Sequence, residues 1–255
     1  MADAALKPLA VAMSGARAAA MGAWTLGAMQ TYLLHLRTKP EPERHALRQA
    51  WIKVWARGLS RVFGVQQRLT STPTPASRPR LVVANHRSPI DIILMLEHFG
   101  GCVLSHDGVA DWPILGPAAR EGGTIFVDRE DQHSGAKAIR AIRRRLKDGH
   151  TVIVFPEGTT FQGDEVRPFL GGAFTAVRGL DAEIVPVGIA YDPGVEFFQE
   201  TFMEHVTRVA QRRRTRVAIS VGEAFAPQRD REAMAASLHG SVQALVQDAR
   251  AALGR

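Results

Sequence analysis

The chain has 255 residues, which is enough for one large α/β domain or for a domain with an appendage. Its single cysteine excludes an internal disulfide framework and a cysteine metal cluster. The net charge of +7 indicates an anionic partner such as lipid, an acidic carrier protein or nucleic acid. Nucleic acid fits worst of the three, because aromatic residues make up only 7% and do not alternate with the basic runs.

The first 64 residues are predicted to form a helical, membrane-associating segment. Residues 18–36 contain no Asp, Glu, Lys or Arg over about the length that crosses a bilayer, but their alanines, glycines and polar residues make a true span marginal. A second helix is expected to run from the prolines at 40 and 42 to Phe63. Its apolar stripe comprises Leu47, Trp51, Val54, Trp55, Leu59 and Val62. Insertion into a membrane surface is favoured; the alternative is a helix pair packed on the following domain.

Residues 65–255 are predicted to form a single α/β domain. Strands are expected at 66–69, 81–84, 102–105, 124–127, 151–155, 184–190 and 216–221. Helices are expected at 89–98, 134–147, 172–178 and 230–253. Strands that alternate with helices predict a mixed, largely parallel sheet flanked by helices on both faces.

The stretch LVVANHRSPIDIIL, residues 81–94, places a polar segment between a predicted strand and a predicted helix. Ser88 followed by Pro89 is typical of an N-cap and a first helical residue, so His86 precedes the helix and Asp91 lies in its first turn. This spacing allows the Asp91 carboxylate to bind one ring nitrogen of His86. The other nitrogen is then free to accept a proton.

A second pair, His106 and Asp111, has the same spacing. Short motifs of this kind arise by chance, so spacing does not choose between the two pairs. Only His86 follows a strand and precedes a Ser-Pro helix start, and it is therefore the predicted base. The alternative role for His86 is to stabilise the turn or cap the helix.

Three later stretches complete a pattern with NHRSPID. In GGTIFVDRE a predicted strand leads to Arg129, and in VIVFPEGTTF a buried strand leads to the residues PEGT. IVPVGIAY places Pro186 inside an apolar strand, which favours an edge or a bulge. In order and spacing, the four stretches resemble the four blocks of the glycerolipid acyltransferase family, of the lysophosphatidic acid acyltransferase type. The resemblance covers residues 65–225.

The resemblance implies transfer of a fatty acyl group from acyl-CoA or acyl carrier protein to the hydroxyl of a lysolipid, at the cytoplasmic face of the plasma or inner membrane, without a metal or other cofactor. It implies that His86 removes the hydroxyl proton while Asp91 orients the ring. Arg129 would hold an anionic headgroup. The rest of the implied acceptor pocket comprises Glu157, Gly158, Thr159, Thr160 and Arg167.

The sequence departs from this family where relatives often carry cations. Thr160 and Phe161 follow Thr159 in place of an Arg-Ser pair, PFLGGAF lacks the usual lysines, and His106 stands where a lysine is common. Each lost charge-assisted hydrogen bond is worth about 1.5–3 kcal/mol. The acceptor implied by the resemblance is 1-acyl-glycerol-3-phosphate. The alternative is a lyso-ornithine lipid, because relatives of that type also carry FPEGTT.

Two other functions stay open at this stage. One is a catalytically silent relative that binds lipid or carrier, and the other is a thioesterase in which water replaces the lipid hydroxyl. The basic runs RAIRRRLK (140–147) and QRRRTR (211–216) are typical of solvated faces. They are also suited to docking on anionic headgroups, acyl carrier protein or the phosphates of coenzyme A.

Overall fold

The computed structural model describes residues 2–128 and 133–254. The helices of this part of the chain are α1 (Ala2–Arg37), α2 (Glu41–Val62), α3 (Ile90–Phe99), α4 (Leu115–Glu121), α5 (Ser134–Lys147), α6 (Gly172–Val177), α7 (Phe202–Ala210) and α8 (Arg231–Ala252). The strands are β1 (Val65–Leu69), β2 (Arg80–Ala84), β3 (Cys102–His106), β4 (Ile125–Val127), β5 (Thr151–Val154), β6 (Glu183–Tyr191) and β7 (Thr215–Val221).

The strands form one mixed sheet in the order β1-β7-β6-β2-β5-β3-β4. All neighbours are parallel except β6 and β7, which are antiparallel. The predicted mixed, largely parallel sheet is therefore confirmed. Because β2 lies between β5 and β6 and is parallel to both, the carboxyl ends of these three strands meet at one edge of the sheet. Ligand sites of open α/β sheets lie at this edge.

Alternation along β2 divides the core into two layers, since successive side chains of a strand point to opposite faces. Val82 and Ala84 pack in the layer formed by α2, α3 and α7. Leu81 and Val83 pack in the layer formed by α5, α6 and α8. The sheet is thus covered on both faces, which explains why all five residues of β2 are buried.

The first two helices pack on each other and on the sheet domain. The indole N–H of Trp24 donates to the carbonyl of Trp55 at 2.9 Å, and the indole N–H of Trp55 donates to the Thr25 hydroxyl at 3.1 Å. Gly58 permits this crossing, because a Cβ there would lie 2.1 Å from the Trp24 ring. Within the described residues, no helix combines the length and the apolar character that a membrane crossing needs. The domain boundary near residue 64 stays a prediction, and β1 begins at Val65.

Two sequence-based expectations differ from the structure. The helix after the polar segment begins at Ile90 with Pro89 as N-cap, one residue later than expected, although Ser88 Oγ still accepts from the Ile90 N–H at 3.3 Å. β6, which contains Pro186, is a central strand and not an edge. The other expectation, a bulge, agrees with the pairing: Val187 pairs with Val221 and Ile184 with Phe225, so the segment after β7 has one extra residue beside Pro186. The Gly222 N–H donates to the Pro186 carbonyl there at 3.0 Å.

Candidate active site

The polar segment after β2 is held by partners that are distant in sequence. Asn85 joins β2 to β6: its side-chain amide donates to the Ile189 carbonyl at 2.9 Å and accepts from the Ile189 N–H at 2.7 Å. Asn85, Arg87 and Ser88 are buried. Buried polar groups of this kind are stable only with hydrogen-bond partners, so the segment has a single well-defined conformation.

His86 and Asp91 form the dyad that the spacing predicts. His86 Nδ1 lies 2.8 Å from Asp91 Oδ2. The same carboxylate oxygen accepts from the backbone N–H groups of Arg87 at 2.6 Å and Ser88 at 2.9 Å. Because Asp91 is fully buried and lies in the first turn of α3, its carboxylate is fixed relative to the ring of His86.

The surroundings of His86 select its tautomer. A carboxylate can only accept at Oδ2, so Nδ1 carries the proton, and in the neutral tautomer Nε2 carries the lone pair. The ring also stacks on Phe155, with centroids 4.2 Å apart and an interplanar angle of 17°. The side chain of His86 is 17% exposed. An imidazole that is oriented through one nitrogen and partly exposed is the arrangement of a general base.

Tyr191, at the end of β6, completes the contacts of Asp91. Its hydroxyl donates to Asp91 Oδ1 at 2.5 Å, and the ring is buried. Burial first, and then the negative charge of Asp91, raise the pKa of Tyr191 well above its ordinary value, so the hydroxyl keeps its proton and remains a donor. Sequence reasoning missed this residue, although it ends the apolar run IVPVGIAY.

Glu157 braces the segment that carries His86. Its carboxylate accepts from the His86 N–H at 2.7 Å, from the Arg87 guanidinium at 2.9 and 3.1 Å, and from the Arg167 N–H at 2.9 Å. Both oxygens are thus bound inside the protein. Glu157 was expected to contact the acceptor. In the structure its side chain is buried, and its oxygens already accept hydrogen bonds from the protein.

Arg87 is the ion-pair partner of Glu157, and sequence reasoning did not identify it. Its side chain is 2% exposed and forms an ion pair with Glu157. The remaining guanidinium nitrogens donate to the carbonyls of Gly163 at 2.6 Å and Glu165 at 2.8 Å. Its planar fork, which satisfies several acceptors at once, joins the NHRSPID segment to the loop after β5.

The turn after β5 lies beside the histidine. Gly158 has a φ of +78°, the left-handed region that favours glycine, and a Cβ there would lie 2.8 Å from Leu170 Cδ1. Gly158 and Thr159 are exposed and Thr160 is half-buried. Phe161 N–H donates to the His86 carbonyl at 3.1 Å, which keeps this segment next to the dyad.

Arg167 and Arg129 are the two arginines that were predicted to bind the acceptor. The Arg167 guanidinium lies 5.4 Å from the ring centroid of Phe161 and 3.3 Å from Glu165. It therefore stands at the edge of the same site with part of its charge already paired. Arg129 lies outside the described residues.

A large apolar cavity begins at the start of α3 and has a volume of about 580 Å³. Pro89 and Ile90 line it at the carboxyl end of the sheet, and Gly101 and Cys102 line it at the amino end of β3. It therefore extends along the length of that strand. Its remaining walls include Met21, Thr25, Ala28, Tyr32, Trp51 and Trp55 from α1 and α2, and Trp112, Phe202 and Val206. Thus the N-terminal helices form one side of the cavity.

Comparison with known proteins gives matches over the part of the chain that contains His86, Asp91 and Glu157. Residues 67–190 match the family model described as Acyltransferase. The lyso-ornithine lipid O-acyltransferase of Rhodobacter capsulatus is 41% identical over 43% of this chain and 41% of its own length. The lyso-ornithine lipid O-acyltransferase of Brucella abortus is 29% identical over 75% of this chain and 79% of its own length. The 1-acyl-sn-glycerol-3-phosphate acyltransferase of Neisseria gonorrhoeae is 30% identical over 44% of each chain.

The first two curated relatives are thus matched over about two fifths of their length. A solved structure has the same fold over nearly the whole chain. The 1-acyl-sn-glycerophosphate acyltransferase of Thermotoga maritima aligns with a TM-score of 0.75 over 96% of this chain and 98% of its own, at 20% sequence identity. Residues 67–190, which contain His86, Asp91 and Glu157, thus match the acyltransferase family, and the chain as a whole has the fold of a solved glycerophosphate acyltransferase.

Proposed function

We propose that this protein is a lysolipid O-acyltransferase that uses His86 as the general base. The observation that carries the proposal is the 2.8 Å contact between His86 Nδ1 and Asp91 Oδ2, which leaves Nε2 of an accessible ring as a proton acceptor. The acyl donor is a thioester of coenzyme A or of acyl carrier protein. No enzyme nucleophile is required, because the acceptor hydroxyl attacks the thioester directly.

The mechanism follows from the protonation states of the dyad. His86 Nε2 takes the proton of the lysolipid hydroxyl as its oxygen bonds to the thioester carbonyl carbon. Asp91 stabilises the imidazolium that forms. When the tetrahedral intermediate collapses, the carbon–sulfur bond breaks and the thiolate takes the proton back from His86. The base is regenerated, and the products are the acylated lipid and the free thiol.

The apolar cavity supports the choice of a fatty acyl substrate. Its volume of about 580 Å³ lies within the usual range of ligand sites, and apolar side chains dominate its walls. Pro89 and Ile90, which line it, immediately follow the segment that carries His86. An acyl chain that fills the cavity along β3 would leave its thioester near the dyad.

The preferred acceptor in this proposal is a lyso-ornithine lipid. Relatives that carry this name match the chain at 41% and 35% identity, and the neutral Thr160 stands where a phosphate-binding cation is common. Arg87 is neutralised by Glu157, and Arg167 is paired with Glu165. The described cations beside the dyad are therefore poorly suited to a phosphomonoester, which favours several free charge-assisted bonds.

Membrane association is proposed through the surface around the N-terminal helices. Large apolar side chains are exposed on α1 and α2, in the loop before α7 and in its first turn: Val11, Leu26, Leu34, Val54, Phe198 and Met203. This surface lies on the layer of the sheet that contains the cavity. A lipid substrate would then pass from the bilayer to the dyad without crossing water.

The purified protein tests the proposal with a labelled acyl donor, supplied as acyl-CoA and as acyl carrier protein. Each donor is incubated alone, with lyso-ornithine lipid and with 1-acyl-glycerol-3-phosphate. We expect an acyl-lipid product, formed faster with the ornithine lipid. Free fatty acid as the main product would instead indicate a thioesterase, and no turnover of any donor would indicate a silent relative.

A further inference from the structure

A second histidine contacts the catalytic segment and lines the apolar cavity that is proposed to hold the acyl chain. His205 on α7 is 1% exposed, and its Nε2 lies 3.0 Å from Ser88 Oγ, across 117 positions of sequence. Its Nδ1 lies 2.9 Å from Glu200 Oε1. Glu200 is held in turn by Arg208, whose Nε lies 3.1 Å from Glu200 Oε2. This chain of polar contacts runs from α7 to the loop that contains His86.

The partners of His205 define the direction of each hydrogen bond. The Glu200 carboxylate can only accept, so Nδ1 of His205 carries the proton. Nε2 then carries the lone pair and accepts from the Ser88 hydroxyl. The neutral ring is favoured because burial lowers the pKa of His205 below its ordinary value.

Ser88 links this chain of contacts to the dyad. Its backbone N–H donates to Asp91 Oδ2 at 2.9 Å, the oxygen that also binds His86 Nδ1. Its hydroxyl accepts from the Ile90 N–H at 3.3 Å at the start of α3. A shift of Ser88 would therefore move the Asp91 carboxylate, and with it the ring of His86.

We propose that His205 is a positioning residue, which acts through Ser88 and Asp91 to hold His86 in its reactive orientation. This role rests on the proposed acyl transfer. The Ser88–His205–Glu200 contacts resemble those of an activated nucleophile, but Ser88 is 0% exposed and its hydroxyl is bound on both sides. The complete burial of Ser88 fits positioning and not attack on a thioester.

Two substitutions separate positioning from simple packing. His205→Phe keeps a ring of similar size but removes both nitrogens, and His205→Gln restores a carbonyl that can accept from Ser88. We expect His205→Phe to lower kcat about ten- to a hundredfold with KM nearly unchanged, the effect of misplacing a reacting group by about 1 Å. His205→Gln should recover most of this loss.

The matched control is His98→Phe. His98 is half-buried, and its Nε2 lies 2.6 Å from Gln67 Oε1, seven positions after Asp91 on α3. All variants are assayed at a temperature at which circular dichroism shows them to be folded. Equal losses of kcat in His98→Phe and His205→Phe would overturn the proposal, as would wild-type kcat in His205→Phe. A loss that His205→Gln does not recover would overturn it too.

A spectroscopic measurement tests the same idea without substrate. The proton on His86 Nδ1, bound to Asp91, should give a low-field resonance in protein labelled with ¹⁵N-histidine, assigned by its absence in His86→Ala. We expect His205→Phe to shift or broaden it and His98→Phe to leave it in place. An unchanged resonance in His205→Phe would overturn the proposal. A shifted resonance in a protein that acylates no lysolipid would support positioning while contradicting the proposed function.

Intact-protein mass spectrometry after incubation with the acyl donor provides the last test. We expect unmodified protein. An added acyl group on Ser88 would overturn the positioning role, because Ser88 would then be a nucleophile activated by His205.

Discussion

At the scale of single residues, the assignment of the base is the most direct prediction. His86→Ala removes the Nε2 lone pair, so turnover should fall by about 100- to 10,000-fold, the usual contribution of a positioned general base. His106→Ala should cost far less, since His86 is paired with an aspartate in the first turn of α3, whereas His106 is the last residue of β3. Steady-state kinetics with a shared donor and acceptor compare the two. Similar losses in both folded variants would contradict the assignment of His86.

Tyr191 supports a second residue-level prediction. Tyr191→Phe deletes the donor to Asp91 Oδ1 and leaves that buried oxygen without its 2.5 Å partner. An unsatisfied buried acceptor costs about 1–3 kcal/mol, so the free energy of unfolding should fall by this amount. Because Asp91 would also orient His86 less well, kcat should fall while KM changes little. Urea unfolding and kinetics measure the two effects, and a variant that keeps both wild-type values would show that Tyr191 is dispensable.

At the scale of elements, the contact between α1 and α7 depends on one side chain. Arg17 Nη1 donates to the carbonyls of Ala210 at 3.1 Å and Arg212 at 2.6 Å, at the carboxyl end of the helix that carries His205. A cation at this end of a helix satisfies carbonyls that lack intrahelical partners. Arg17 therefore joins the N-terminal helix to the helix that carries His205.

Arg17→Met tests this connection, because it keeps the aliphatic part of the side chain and removes the donors. We expect the free energy of unfolding to fall by about 1–3 kcal/mol, the range for hydrogen bonds to charged groups. Arg61→Met on α2 is the control, since Arg61 is exposed. Chemical denaturation of both variants measures their free energies of unfolding. Equal stabilities of the two variants would mean that Arg17 does not anchor α1.

Sequence periodicity predicted the longer elements because their pattern is local. Ala138, Ile142 and Leu146 recur at helical spacing, and α5 has the predicted bounds, Ser134–Lys147. The short helices α4 and α7, of seven and nine residues, were not predicted, whereas the six-residue α6 was. A signal for α7 was nevertheless present: Thr201 and Glu204 form a capping box, and a Thr-x-x-Glu pattern of this kind marks a helix start.

The candidate site was predictable only where its contacts are local in sequence. His86 and Asp91 are five residues apart across a strand-to-helix turn, and local rules were enough to bring them together. The contacts of Asp91 with Tyr191 and of Ser88 with His205 span 100 and 117 positions. They depend on the placement of β6 and α7 around β2, which composition and spacing do not specify. Glu157 was expected to contact the acceptor but binds His86 and Arg87, and these contacts are also distant in sequence.

At the scale of the whole molecule, the cavity predicts how the protein measures its substrate. Ala28 lines the cavity and is one helical turn from Tyr32, whose hydroxyl bonds to Glu121 at the end away from the dyad. Ala28→Phe should fill this distant part. We expect the preference to shift from long-chain to medium-chain acyl donors, with turnover of the shorter donor retained. Competition between two labelled donors measures the shift, and an unchanged chain-length preference would exclude the cavity as the acyl site.

Histidine burial makes the stability of the fold sensitive to acid. Desolvation is the largest cause of a lowered pKa at each of His45, His98, His150 and His205. In the unfolded chain these side chains bind protons at a pH of about 6.5, whereas in the folded protein they stay neutral to lower pH. The unfolded state therefore binds more protons as the pH falls below that value, and stability is lost on acidification.

The melting temperature should therefore decrease between about pH 7.5 and about pH 5, by about 2–4 °C for each kcal/mol lost in a domain of this size. His150 offers a specific test, since its ring lies 4.4 Å from that of His45 and its Nδ1 is buried without a hydrogen-bond partner among the described residues. His150→Phe keeps the ring contact and removes one titrating group, so its melting temperature should depend less steeply on pH. Calorimetry of both proteins across this range measures the difference. A wild-type melting temperature that is constant or rises on acidification would contradict the assignment of these histidines as neutral in the fold.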